Sequence, residues 1–145
     1  MKSRKLFRSN ERFVLRLIDA NFNRVREGLR VCEDIFRFLY DDSVMTLAFK
    51  KLRHDCSKTL LAFPILYHDL VDARDSNRDV GKKRVISDKP KMGWKDLILS
   101  NLKRSEEGFR VLEEASKIIA PKESEQFQLL RFKLYELEKK ALKRI

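Results

Sequence analysis

The chain has 145 residues, 43% of them hydrophobic and 38% charged, which excludes a disordered tract and fits one domain with its own core. The 33 basic against 22 acidic residues leave a net charge of +11, which favours anionic partners such as nucleotides, phosphorylated metabolites, nucleic acid or an anionic surface. Four Gly and three Pro supply little turn material, and no apolar run approaches the ~20 residues of a membrane span, so a few long soluble elements are expected.

The first predicted helix starts near Ser9, an N-cap residue with Glu11 in its first turn, and runs to about Leu39. Phe22, Val25, Leu29, Cys32, Phe36 and Leu39 alternate spacings of three and four, a helical seam. Asp41-Asp42-Ser43 breaks it and caps a second helix with Leu47, Leu52, Leu60 and Leu61 as its apolar set, ended by Pro64. A short helical stretch through Tyr67, Leu70 and Val71 leads into a loop at roughly residues 74–92. The next helix opens near Gly93 or Trp94, carries Leu102, Phe109, Leu112 and Ile119, and stops at Ala120-Pro121. The last runs from about Glu123 through Phe127, Leu130, Leu134 and Leu137 to the C-terminus. No β-alternation of useful length appears. Cys32 and Cys56 are isolated and lack metal-ligand spacing, and no signal-type apolar core follows Met1–Lys5, so a cytoplasmic protein is expected.

Residues 21–34, NFNRVREGLRVCED, recur eighty positions later as residues 101–114, NLKRSEEGFRVLEE. The identical positions are Asn21/Asn101, Arg24/Arg104, Glu27/Glu107, Gly28/Gly108, Arg30/Arg110, Val31/Val111 and Glu33/Glu113, mostly polar or Gly. The returning helices echo each other too, FKKLRHD (49–55) against FQLLRFK (127–133). The duplicated unit is therefore a helical hairpin. Repeat 1 spans about 10–73, the loop 74–92 and repeat 2 about 93–145, giving an all-α, four-helix bundle-like domain with a pseudo-two-fold. Gly in mid-helix costs about 1 kcal/mol relative to Ala, so Gly28 and Gly108 imply close approach to a facing helix or a ligand.

Asn21, Arg24, Gly28 and Val31 form one stripe beside the seam, with Asn101, Arg104, Gly108 and Val111 as its twin. Glu27, Arg30 and Glu33 alternate in sign at spacing three, so Arg30 can be held by carboxylates on both sides. Such pairs are compatible with a helix-surface network worth ~0.3–0.5 kcal/mol each. They are also compatible with a pocket between the hairpins, in which Arg beside Asn binds phosphate and Glu107 or Glu27 orients the Arg. Arg53 and Arg131, matched on the returning helices, are candidates either for a second phosphate contact or for pairing with Glu27/Glu107 or Glu33/Glu113. His54 and Asp55 are neighbours on a helix, point different ways and make no catalytic dyad. In the loop RDSNRDVGK, Asp75 and Asp79 are the candidate Mg²⁺ ligands and catalytic carboxylates, and Gly81 permits a tight turn. The following Lys82, Lys83, Arg84, Lys89 and Lys91 would cover polyphosphate, unless the loop is simply a solvated linker. No Walker A motif, zinc set or Ser/His/Asp order is present.

DANFNRVREGLRVCEDIFRF, LRHD, ARDSNRDVG, SNLKRSEEGFRVLEEASK and QLLRFKLYELEK together resemble, from about Asp19 to Lys139, a helical domain of bacterial thiamine biosynthesis that often precedes the thiamine phosphate synthase barrel. The resemblance implies phosphorylation of hydroxymethylpyrimidine phosphate to its pyrophosphate, with ATP as co-substrate and Mg²⁺ as cofactor. It also implies a partnership with a thiamine phosphate synthase and leaves room for a homodimer. Under it, Arg24 and Arg104 would hold phosphates, while Asn21 and Asn101 would read the aminopyrimidine edge. Cys32 stands where a larger aliphatic is expected, and Phe132-Lys133 replace His-Asp in the second copy. A chain ending at Ile145 has no room for a (β/α)₈ barrel of ~250 residues, so synthase activity itself is not expected. A non-catalytic pyrimidine-phosphate-binding module is the first alternative. A nucleic-acid binder is a distant one, because acids interrupt the most basic helices.

Overall fold

The structure, a computed structural model, describes residues 9–83 and 93–145. Among these residues it is all-helical: α1 (Ser9–Phe38), α2 (Ser43–Leu61), α3 (Tyr67–Ala73), a 3₁₀ turn (Ser76–Arg78), α4 (Trp94–Ile119) and α5 (Pro121–Leu142). Local chemistry sets the boundaries. After α1, Asp41 adopts φ 49°, a left-handed turn in which Asp stands where Gly is usual, and the Asp42 amide reaches back to the Phe36 carbonyl at 2.9 Å. Asp42 then caps α2, its Oδ1 accepting from the Met45 amide at 3.0 Å. α2 ends at Leu61, ahead of Pro64, and Pro121 opens α5 at a position where its missing N–H costs nothing.

α1 packs on α4 and α2, and α5 packs on α4 and α2, so the four long helices close a ring; α3 lies against α1. Inside run Leu15, Ile18, Phe22, Val25, Leu29, Cys32 and Phe36 of α1, facing Ile98, Leu102, Phe109 and Leu112 of α4. Phe36 stacks on Phe49, and Phe127 touches both Phe63 and Phe109. The expected seams hold except at their ends: Leu39, Leu47 and Leu61 are exposed, because the first lies past the α1 stop and the other two face away from the ring. Arg144, beyond α5, pairs with Asp42 and ties the C-terminal end to the α1–α2 turn.

The α1–α4 crossing explains both helical glycines. A Cβ at Gly28 would lie 2.3 Å from the Ser105 hydroxyl and 2.8 Å from the Asn101 carbonyl oxygen. One at Gly108 would lie 2.7 Å from Val25 Cγ2 and 3.3 Å from the Asn21 carbonyl oxygen. The close neighbour is the facing helix, and the reciprocal contacts show an antiparallel pair related by a local dyad. Val25 and Ser105 meet on that axis, where the Ser105 hydroxyl donates to the Val25 carbonyl at 3.1 Å.

Candidate functional site

The duplicated polar residues gather around this dyad. Arg24 lies one turn before Gly28, and Arg104 one turn before Gly108. At 100° per residue, Arg24 and Val31 fall on the side of α1 that borders α4 and faces away from α2. The dyad places Arg104 and Val111 correspondingly on α4. Both guanidinium groups are exposed, so the pocket expected between the hairpins is an open shelf, its floor filled by Val25, Gly28, Ser105 and Gly108.

Asn21 is buried: its amide donates to the Leu17 carbonyl at 2.9 Å, and its Oδ1 accepts from Arg24 Nη1 at 2.8 Å. It therefore positions Arg24, and its burial leaves it little surface with which to read an aminopyrimidine edge. Asn101 repeats the first bond, to Leu97 at 2.8 Å, but among the described residues Arg104 makes no matching bond to it. Glu27 and Glu107 are exposed, each three residues after an arginine of the shelf and farther from the crossing. The expected bracketing of Arg30 is corrected: it pairs with Glu33 at 3.7 Å and Asp34 at 3.3 Å, both C-terminal to it, while Arg110 pairs with Glu114 at 3.3 Å.

Arg53 and Arg131 are committed elsewhere. Arg53 Nε donates to Glu33 at 2.9 Å, and Arg131 donates twice to Glu113, at 3.1 and 2.9 Å. These side chains are 3–11% exposed, so each hairpin carries one buried clamp between its two helices and neither guanidinium reaches the shelf. His54 is exposed, and Asp55 is held by Lys51 at 3.1 Å, so no dyad forms.

The loop is anchored by a pair that the sequence reading left unassigned. Arg74 grips Asp19 in a fork, Nε to Oδ2 at 2.7 Å and Nη2 to Oδ1 at 2.8 Å, with Asp19 buried on α1. Asp75 caps the 3₁₀ turn by accepting from the Arg78 amide at 3.3 Å, and Asp79 accepts from the Gly81 amide at 2.8 Å. Asp19 and Arg24 are five residues apart, which is 140° around α1, so the loop stands on another flank from the shelf. Among the described residues no contact joins Asp75 or Asp79 to Arg24 or Arg104, and no group of three or more His, Cys, Asp or Glu could hold a metal. The two carboxylates each keep an oxygen free of backbone, which fits a Mg²⁺ ion arriving with phosphates better than a resident one. Arg84, Lys89 and Lys91 lie outside the described residues, as does Met1–Lys5.

Two flank positions went unread. Arg26 and its copy Glu106 carry opposite charges at the edge of the seam, a signal available from the alignment of the two repeats. Glu106 sits with Lys103 at 2.9 Å, and Lys103 also holds Glu138 at 2.9 Å. Burial, reinforced by Glu138 alongside, pushes the Glu106 carboxyl up to about 7, whereas the hydrogen bond from Glu106 holds Glu138 below the usual range. Arg26 lines a cavity of about 320 Å³ between α1, α2 and α3. A shallower groove runs along the end of the shelf past Val31, Phe38, Trp94 and Leu97. No helix among the described residues is long and apolar enough to cross a membrane.

Comparison with known proteins gives these residues a context. The model of the ThiD2 family matches residues 16–140. The thiamine-phosphate synthase of Nostoc punctiforme is 33% identical over 131 residues, which is 88% of this chain and 35% of that protein. The one from Synechocystis sp. is 35% identical over 126 residues, 86% of this chain and 35% of the relative, and Rhodopirellula baltica has another at 31% over 128 residues. The chain thus spans about a third of the length of these curated relatives. No solved structure matches. The names carried by the relatives overturn the expectation that synthase activity is excluded, since the argument rested on where this sequence stops and that position carries no weight. With the match running over most of α1 through α5, the chain belongs to the ThiD2 family and to thiamine biosynthesis.

Proposed function

We propose that the chain phosphorylates hydroxymethylpyrimidine phosphate with ATP, in the cytoplasm, giving the pyrophosphate. The observation that carries this reading is the pair of exposed guanidinium groups, Arg24 and Arg104, set on one face about the local dyad with Glu27 and Glu107 beside them. Phosphoryl transfer asks mainly for positioning and charge neutralisation. Two cations at a symmetric crossing can hold one phosphorylated partner each, and Asn21 fixes the Arg24 head group. Mg²⁺ held by Asp75 and Asp79 would supply the neutralising charge on the nucleotide. A substrate that already bears a phosphate presents its own nucleophilic oxygen, so no general base is required.

A second reading has its own support. The loop carboxylates lie on a different flank from the arginines, as a non-catalytic module that binds the pyrimidine phosphate for a thiamine phosphate synthase would allow. Coupled ADP release with Mg²⁺-ATP and hydroxymethylpyrimidine phosphate separates the two. Turnover that falls at least ~100-fold in both Arg24→Ala and Arg104→Ala, with melting temperature kept, supports transfer at the shelf. Binding of the pyrimidine phosphate without ADP release supports the module instead.

A further inference from the structure

We propose that the cavity between α1, α2 and α3 is a separate binding site for a small aromatic anion. Its walls are Phe22, Leu60, Ile65 and Leu70, with Tyr67 and Ser57 as polar rim and Arg26 as the one charge. A volume of about 320 Å³ falls at the lower end of the ~300–1,000 Å³ typical of small-ligand sites.

Arg26 supplies the specificity. Its guanidinium lies 5.4 Å from the centroid of the Phe22 ring, and its Nε is buried without a hydrogen-bond partner. Among the described residues no carboxylate pairs with it. Cys56, which feels the Arg26 charge, is pushed up to about 12 by burial and remains a neutral thiol. A buried cation donor without an anion normally carries a desolvation cost, which an incoming carboxylate or phosphate would remove. The ring of that ligand would lie against Phe22 and Leu70, with its charge turned to Arg26.

The other hairpin shows that the fold does not require such a space. At the positions matching Arg26 and Leu60 it has Glu106 and Glu138, and Lys103 closes that flank as an ion cluster. Among the described residues only the first hairpin combines a cation, apolar walls and a covering helix, and α3 is pinned over the cavity by Arg74 gripping Asp19. The inference does not depend on phosphoryl transfer at the shelf, which uses none of these residues.

Calorimetry and amide chemical-shift mapping with phenyl phosphate, and with phenol as the uncharged control, test it. Saturable phenyl phosphate binding is expected, at least ~10-fold tighter than phenol, with shifts centred on α3 and the facing turn of α1. Arg26→Met should erase the preference for the charged ligand, and Ser57→Leu should fill the mouth and weaken both ligands, each with a near-native melting temperature. The proposal is overturned by no saturation with the native chain, by equal affinity for both ligands, or by shifts centred on Arg24 and Arg104. Should Arg26→Met not fold, the comparison of the two ligands on the native chain still decides.

Discussion

The two hairpins are alike where they meet and unlike where they face outward. On the dyad, Asn21, Arg24, Glu27 and Gly28 are matched by Asn101, Arg104, Glu107 and Gly108, and within each hairpin a buried Glu–Arg clamp joins the helices, Glu33 with Arg53 and Glu113 with Arg131. On the flanks the copies part. The first has Arg26, a cavity and α3; the second has the Lys103–Glu106–Glu138 cluster and, among the described residues, no covering helix. Structural demands common to both hairpins account for the clamps and the glycines. They do not account for exposed Arg24, Glu27, Arg104 and Glu107, the identity on which the proposed function rests.

The clamps should give the largest effects. Arg53→Met or Arg131→Met leaves a carboxylate buried without its cation, which costs about 3–5 kcal/mol. Urea unfolding should show the two losses to be similar, confirming equivalent roles in the two hairpins. Replacing both members of one pair, Glu33→Leu with Arg53→Met, should recover most of the loss. A single variant that costs under about 1 kcal/mol would mean its clamp is open in solution.

The glycines come next, and here the copies should differ. Gly28→Ala forces a methyl against the Asn101 carbonyl and the Ser105 hydroxyl, which is itself bonded to Val25. Overpacking of ~1–3 kcal/mol outweighs the gain in helix propensity, leaving a net cost of about 2 kcal/mol. Gly108→Ala meets a side-chain methyl and a more distant carbonyl, so about 1 kcal/mol or less is expected. Equal costs would show that the crossing is more symmetric than its contacts.

Much of this architecture was legible in the sequence. Spacings of three and four gave the seams, Asp42 and Pro121 the boundaries, and the paired glycines the crossing. The site was less legible, for a physical reason: helical periodicity fixes the angle of a residue on its own helix but not what covers that angle. Arg53 and Arg24 both read as phosphate ligands, and only the packing of α2 on α1 turns one into a buried clamp and leaves the other exposed. The Asp19–Arg74 fork spans 55 residues and depends on where α3 docks, which no local pattern encodes.

That fork gives the next test. Arg74 is 39% exposed while Asp19 is buried, so Arg74→Ala should cost about 1–2 kcal/mol after allowance for solvent screening. Its effect should be local to the first hairpin: amide exchange in α3 should quicken while that of α4 and α5 stays as it was. Uniform quickening would mean that α3 unfolds only with the whole domain.

The smallest effect tests the second hairpin's flank, and it depends on pH. An ordinary Glu titrates near 4.5, whereas Glu106 in the folded chain titrates at about 7. Between those values the native state binds more protons than the unfolded one, so this group's contribution to stability falls as pH rises toward 7. Below 4.5 the carboxyl is neutral in both states and the contribution is intact. Glu106→Gln removes the titrating group while keeping an amide that can still donate to Glu138. It should therefore be stabilising by about 1 kcal/mol at pH 8 and near neutral at pH 4, an amount kept modest because Lys103 and the depressed Glu138 offset part of the shift. Arg26→Gln, at the matching position of the first hairpin, should show no such dependence between pH 4 and 8, since Arg stays charged throughout. Parallel stability curves for Glu106→Gln and the native chain would mean that Glu106 is hydrated in solution, and that water reaches the second flank.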